Sequence, residues 1–437
     1  MQQISNILNA DSYKFSHFAL FPANTQAQFS YVAARVTNQT MVPLGYSAWI
    51  KQNLMVPITQ SDIDQAADIA AKHGDPFNRA DWEYILEKYD GYLPVKISAI
   101  PEGMPVESET PLVVVESTDE RLFWLPSYLE TSLQRATWYS STIATNDRNN
   151  WLMLKKIYEL GSDNMGMLEF ALHDFGARGV ACEEQAAIGG LAHLVYFRGT
   201  DNMSAIVHGR KYYACDMAGF SVPATEHSIQ CAYGRDNQHA YLKRVLDVYA
   251  KPGAIVSLVI DGYDVYREAK LLCTKFKDQI IESGAKVVFR PDSGDMFEVV
   301  PRILQIQETY FGYTTNSKGK KVINNVGIIQ GDGIDSTTLA QLAGLVDSLG
   351  YAPECVIYGS GGGLLQKVNR DTYRFAQKTS AIKVDGVWIE TVKDPITDPG
   401  KKSKGGVLTD HRHVVYYHNG RMLFTDTLDN IRQRAKA

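Results

Sequence analysis

From about residue 165 onward the sequence repeats one pattern: a short apolar run ends in a polar or glycine-rich cluster, and a helical stretch follows. MLEFAL runs into HDFGARG at 173–179, and AIVSLVI into DGYD at 261–264. KVVFR precedes PDSGD at 291–295, VGIIQ precedes GDGID at 331–335, and CVIYG precedes SGGG at 360–363. The last four runs end at Ile260, Phe289, Ile329 and Tyr358. They lie roughly 30 to 40 residues apart, the length of chain that a strand, a loop, a helix and a return need. Buried parallel strands read as near-continuous apolar runs, as these do. The pattern predicts an α/β fold of repeated βα units. An open doubly wound sheet and a closed βα barrel both satisfy it. In either, the site lies at the carboxyl ends of the strands, where all these polar clusters fall.

The first 150 residues have a different rhythm and read as α+β. TQSDIDQAADIAAKHG (59–74) is expected to form a helix, with Ser61 as its cap, Asp62 and Asp64 in its first turn and Gly74 at its end. LPVKISAIPEGMPV (93–106) reads as strand, turn and strand, and PLVVVEST (111–118) as a further strand. With 437 residues, 45% of them hydrophobic, the chain has enough material for a large core. Its 44 Lys and Arg against 49 Asp and Glu give no global basic field for nucleic acid or an anionic membrane, so any anion site must be local. Five widely spaced cysteines without a C-x-x-C argue against a disulfide framework or structural zinc, and fit a reducing compartment. MQQISNILNADSYKF lacks the basic start and apolar stretch of a secretory signal, and no 18-residue apolar window predicts a membrane span.

Four groups of residues can carry chemistry. In Gly359-Ser360-Gly361-Gly362-Gly363, the missing side chains let backbone N–H groups approach a phosphate, and LLQKVNRD is expected to begin a helix behind the loop. Gln330-Gly331-Asp332-Gly333 repeats this one unit earlier; the bland alternative for both is a flexible turn. Acids come in pairs at three strand ends: Asp261 with Asp264, Asp292 with Asp295, and Asp332 with Asp335. They suit ribose hydroxyls or a phosphate-bridged Mg²⁺, or else helix capping, in which Ser293 and Ser336 are further candidates. Arg178, Arg290, Arg370, Lys378, Lys393, Lys401 and Lys402 are the phosphate partners at hand, and Arg290 should emerge at a strand end. His227 in PATEHSIQ is a candidate base, phosphate ligand or phospho-acceptor, set against a structural histidine; His173 reads as structural.

NILNADSYKFSH, ILEKYDGYLPVKI, HDFGARG, GTDN, GFSVPATEHS, RPDSG, QGDGID, YGSGGGLLQKVNRD and KDPITDPGKKSKGG together resemble the type II phosphoribosyltransferases of the nicotinate phosphoribosyltransferase-like family, over almost the whole chain. The other phosphoribosyltransferase class carries a paired-acid-then-Thr-Gly loop, which is not found here. The resemblance implies a βα barrel over 151–379 and an α+β domain from both chain ends, 1–150 plus 380–437. It implies a cytoplasmic head-to-tail homodimer with active sites at the interface. The implied reaction is nicotinamide plus PRPP to nicotinamide mononucleotide plus pyrophosphate, in NAD salvage. Mg²⁺ and coupled ATP hydrolysis are the implied cofactors. The alternative acceptor within the family is nicotinate.

Carried onto these positions, the resemblance puts Phe175 against one face of the pyridine ring. Tyr13, supplied by the partner subunit, covers the other face, with Asp11 nearby. Asp201 accepts from the carboxamide, and Ser221 and Arg290 sit around amide and ribose. Asp292 holds ribose hydroxyls, and Asp261 is counted with the catalytic group. Gly331, Asp332, Gly361, Gly362 and Arg370 surround the ribose and its 5′-phosphate. Arg178 and His227 face the pyrophosphate, and His227 matches the histidine phosphorylated from ATP. Arg35, Lys393 and Lys401 reach the polyphosphate, supported by Lys378. The metal ligands are unassigned, Mg²⁺ being expected mainly on phosphates. Ala177 and Ala171 depart from the family's usual Tyr and Lys. A catalysis-free nucleotide-binding module would be expected to lose one of His227, Arg290, Asp292 or Arg370, and all are present. A generic barrel aldolase would want a Schiff-base Lys at a strand end, and these strand ends carry none.

Overall fold

The computed structural model describes residues 4–397 and 402–437. The chain forms two compact units: Met1–Thr145 with Lys211–Cys215 and Val368–Ala437, and Asn146–Arg210 with Asp216–Lys367. Among the described residues no helix is long and apolar enough to cross a membrane, and all five cysteines are free thiols.

The first unit is built on a seven-stranded antiparallel sheet. Its order is Val387–Glu390, Phe375–Val384, Thr25–Ala34, Val113–Ser117, Val95–Ala99, Val414–His418 and Arg421–Met422. Side chains alternate between its faces, as strand geometry requires. Val32, Ala34, Val113 and Val115 enter one large core with Trp82, Trp124 and Tyr128. Phe29, Tyr31, Ala33 and Val114, one residue out of phase, form a small cluster on the other side. Val106–Glu107 pairs with Thr40–Met41 instead of folding back on Val95–Ala99. The helix expected over 59–74 spans Gln60–His73. Its cap is Thr59, not Ser61: the hydroxyl accepts from the Asp62 N–H and the Asp62 side chain answers the Thr59 N–H, a reciprocal box that a cap inside the first turn cannot make.

The second unit holds a six-stranded parallel sheet. In order these are Gly199–Thr200, Leu172–Asp174, Val356–Ser360, Val326–Gln330, Lys286–Arg290 and Ile255–Val259. Four of the five apolar runs are these strands; all residues of Val326–Gln330 and the last four of Ile255–Val259 are buried. Burying a Val, Leu, Ile or Phe side chain stabilises by about 1.5–3 kcal/mol, which is why both strand faces are apolar. The run MLEFAL differs. It is a 3-10 helix, Met165–Phe170, and pairing is confined to Leu172–Asp174. The longer step between Phe289 and Ile329 is filled by a hairpin of Tyr313–Thr315 and Lys321–Ile323. Segment 220–225 joins both sheet edges: the Thr200 N–H donates to Phe220 O at 3.0 Å, and the Thr225 N–H to Ser257 O at 3.1 Å. Hydrogen bonding therefore continues from one edge strand to the other.

Candidate active site

Parallel register sets the carboxyl ends of the strands side by side. Asp174 pairs with Ser360 and with Thr200, Gln330 with Tyr358, and Arg290 with Val259. The residue after each strand end is thus placed on one rim. Phe175 is the aromatic member. Its N–H donates to Ser360 O at 3.0 Å. Its half-buried ring lies over Gly359 and beside Gly331: a Cβ at those positions would sit 2.1 Å and 3.4 Å from ring atoms. Gly359 is therefore required by close approach, and any side chain there would displace the ring. The Asp292 carboxylate would lie 3.1 Å from the same Cβ of Gly331, so ring, glycine loop and acid share one spot.

The paired acids divide by role. Asp264, Asp295 and Asp335 are helix N-caps: their carboxylates accept from Tyr266 and Arg267, from Phe297, and from Thr337 and Thr338 respectively. The caps are these acids, not Ser293 or Ser336. The first acid of each pair is left for other work. Asp261, its side chain only 3% exposed, accepts from or faces His227 Nε2 at 3.0 Å. Asp292 takes a long contact of 3.4 Å from Arg290 Nη2. Arg290 Nε is buried with no hydrogen-bond partner among the described residues, an unsatisfied charged donor at the strand end. Asp332 is exposed beyond Gln330, whose amide donates to its carbonyl at 2.9 Å.

His227 opens the helix His227–Ala232. The Gln230 side chain of that helix accepts the Gly262 N–H at 2.9 Å, which staples the Asp261 loop to it. A carboxylate only accepts, so Asp261 holds the Nε2 proton in place and leaves the Nδ1 lone pair available. Burial pushes the His173 imidazole down to about 4, so it stays neutral at physiological pH.

Asp201 follows Gly199–Thr200 and is exposed. Its N–H donates to Asp174 O at 3.0 Å. Ser221 Oγ donates to its Oδ1 at 2.5 Å, which fixes the carboxylate and leaves Oδ2 to a ligand. The two glycine loops touch: Ser360 Oγ donates to Ile334 O at 2.6 Å. The helix expected after the second loop is one turn, Gly362–Leu365, and starts inside the glycine run. Arg178 is exposed on the turn Ala177–Gly179; Ala177 is exposed and Ala171 buried.

The remaining expected residues belong to the first unit. Tyr13 is 54% exposed, and Asp11 Oδ2 accepts from Thr131 Oγ1 at 2.6 Å. Arg35 Nε donates to Arg374 O at 3.2 Å. Lys378 sits in the strand Phe375–Val384, and its pKa is lowered, first by burial and then by the neighbouring cations Arg35, Lys393 and Lys14, against the attraction of Glu130. That mutual repulsion is what an anion would relieve. Arg370 is exposed, and its Nη2 meets Asp371 Oδ1 at 3.3 Å. Lys401 lies outside the described residues. Asp174 and Asn202, both buried, were not singled out in the sequence although they sit inside HDFG and GTDN; neighbours of stronger candidates mask them.

An aromatic face, one fixed carboxylate and apposed glycine loops at parallel strand ends are the features of an α/β enzyme whose site lies at the strand ends. The chain belongs to the nicotinate phosphoribosyltransferase (NAPRTase) family, whose pattern matches residues 170–423. Residues 5–97 match the family described as nicotinamide phosphoribosyltransferase, N-terminal domain. A protein of Xanthomonas campestris named nicotinamide phosphoribosyltransferase is 43% identical, over 100% of this chain and 99% of that one. One of the same name from Acinetobacter baylyi is 32% identical, over 98% of this chain and 97% of that one. Among solved structures, a nicotinate-nucleotide pyrophosphorylase from Pyrococcus furiosus superposes with a TM-score of 0.60 at 14% identity, over 100% of this chain and 96% of that one; it shares the fold.

Proposed function

We propose that this chain is a nicotinamide phosphoribosyltransferase: it joins nicotinamide to the ribose 5-phosphate of PRPP and releases pyrophosphate. The observation that carries the reading is Asp201: Ser221 holds one of its oxygens, and its N–H is bonded to the carbonyl of Asp174, the residue before Phe175. An acid in that place accepts from a carboxamide NH₂ and repels a carboxylate, which disfavours nicotinate. In the reaction the C1–O bond to pyrophosphate breaks, positive charge grows on the sugar, and the pyridine nitrogen forms the new C1–N bond. Phe175 orients the ring, Asp292 and Arg290 hold ribose and amide, and the glycine loops take the 5′-phosphate. The protein's part is positioning and electrostatic stabilisation.

Supporting features extend the reading. The second unit is a βα barrel closed through segment 220–225 and the first is an α+β domain; Arg35, Lys378, Lys393, Lys401 and Arg370 are the basic residues assigned to the phosphates. Tyr13 comes from the partner in a homodimer. His227 takes a phosphoryl group from ATP on Nδ1, the nitrogen that Asp261 leaves unprotonated. Asp261, Asp292 and Asp332 are hard oxygen donors that suit Mg²⁺, an ion expected to be carried mainly by phosphates. When bound it would neutralise charge on the leaving pyrophosphate. Free thiols fit a cytoplasmic enzyme.

The test is product analysis. Purified protein with PRPP and Mg²⁺, with and without ATP, should convert nicotinamide far faster than nicotinate, and Asp201→Asn should narrow the gap. The reverse preference in the unmodified protein would reject the reading.

A further inference from the structure

Next to Phe175 and Asp201 in the chain lies a buried polar pair. Asp174 is 0% and Asn202 1% exposed. Asp174 is hydrogen-bonded to both loops that carry the site. Its Oδ1 accepts the Gly176 N–H at 2.7 Å, and its main-chain oxygen accepts the Asp201 N–H at 3.0 Å. Its Oδ2 accepts from Asn202 Nδ2 at 2.9 Å. The same Nδ2 donates to Ala186 O at 2.8 Å, in the helix Glu183–His193, and Asn202 Oδ1 accepts from the Ala205 N–H at 3.3 Å. That helix approaches because residue 190 is glycine: a Cβ there would lie 2.4 Å from Asn202 Nδ2 and 2.9 Å from Asp174 Oδ2. Phe175 follows Asp174 directly, and Asp201 precedes Asn202 directly. The pair is bonded to the chain on both sides of each.

We propose that Asp174 and Asn202 are positioning residues that fix the separation of Phe175 from Asp201, and thereby set the preference for nicotinamide over nicotinate. This rests on the reading of Asp201 as the amide acceptor. An amide stacked on Phe175 meets the free Asp201 oxygen at one spacing only, and productive geometry tolerates a drift of about 0.5 Å. Buried carboxylates without partners are costly, so removing either member makes both loops re-pack. Substrate selection then changes although no ligand contact has been deleted.

The experiment compares Asn202→Ala, Gly190→Ala and Asp201→Asn, singly and with Asn202→Ala added to Asp201→Asn. Gly190→Ala retains both polar partners and only forces them apart, so it serves where Asn202→Ala does not fold. Steady-state kcat and KM are measured for nicotinamide, nicotinate and PRPP. Asn202→Ala and Gly190→Ala should raise the nicotinamide KM and shrink the nicotinamide-to-nicotinate ratio of kcat/KM, each about tenfold, with the PRPP KM within about twofold. In the Asp201→Asn background Asn202→Ala should shrink the ratio no further, because it acts through Asp201. A merely structural pair would lower kcat for both acceptors alike and leave the ratio unchanged. That outcome, with Asp201→Asn still narrowing the ratio, overturns this proposal alone. If Asp201→Asn itself leaves the ratio unchanged, the reading of Asp201 falls and takes the proposal with it.

Discussion

At the scale of the residue, burial decides which polar groups can work. Asp261 is buried yet partnered by His227, so its charge orients a ring. Glu268 is buried with neither carboxylate oxygen partnered. Desolvation pushes its carboxyl up to about 7. Between its ordinary value of 4.5 and 7, the folded chain holds a proton that the unfolded chain has released. Its contribution to stability is therefore present at the acid end of that window and lost as pH rises through 7. Glu268→Gln removes the titration. Melting temperatures of the two proteins should diverge between pH 5 and pH 8, the Gln variant gaining about 1–3 kcal/mol relative to wild type by calorimetry. An offset independent of pH would contradict the assignment.

At the scale of the element, each strand–loop–helix unit assigns its two acids by position. The acid directly preceding the helix caps it, because only there does a carboxylate reach the free N–H groups of the first turn. The acid next to the strand end is left facing the rim. The sequence showed the pairs, but capping and site chemistry ask for the same residue types, so it did not separate them. Close approach is likewise an element-scale property. Gly359 is the second-last residue of the strand Val356–Ser360, under the Phe175 ring, and no spacing rule identifies which glycine of a run will touch an aromatic neighbour. Gly359→Ala should push the ring off its seat: a Cβ would lie 2.1 Å from it. The expected result is a nicotinamide KM at least about tenfold higher at nearly unchanged PRPP KM, measured by initial rates, since roughly 1 Å of displacement is ample to lose orientation. Unaltered nicotinamide affinity would show that Phe175 is not the stacking residue.

At the scale of the whole molecule, the expected ligand residues fall into two compact units. Asp11, Tyr13, Arg35, Arg370, Lys378 and Lys393 belong to one, and the ring, amide and histidine residues to the other. If Tyr13 completes the partner's site, two inactive proteins should rescue each other. Tyr13→Ala and Asp292→Asn, each nearly silent alone, should on mixing and subunit exchange recover about a quarter of wild-type turnover, since half the dimers are mixed and each has one intact site. Light scattering should report the dimer in the same samples. No recovery from a dimer that has exchanged would place Tyr13 outside the partner's site.

The sequence by itself determined the α/β class and where the buried strands stop, and so which polar clusters share the strand ends. Those signals are local: unbroken apolar runs mark strands buried on both faces, and polar clusters mark where they stop. Tertiary structure decided the rest. It folded most of MLEFAL as a 3-10 helix and confined pairing to Leu172–Asp174, since pairing extends only as far as a neighbour offers free backbone groups. It joined the sheet edges through segment 220–225, which has no strand-like run of its own. It sorted caps from functional acids, and it brought Asp174 and Asn202 together across 28 positions of sequence. Hydrogen-bond partners distant along the chain leave no periodic trace in it. The residues that position a site are therefore harder to read than the residues that form it.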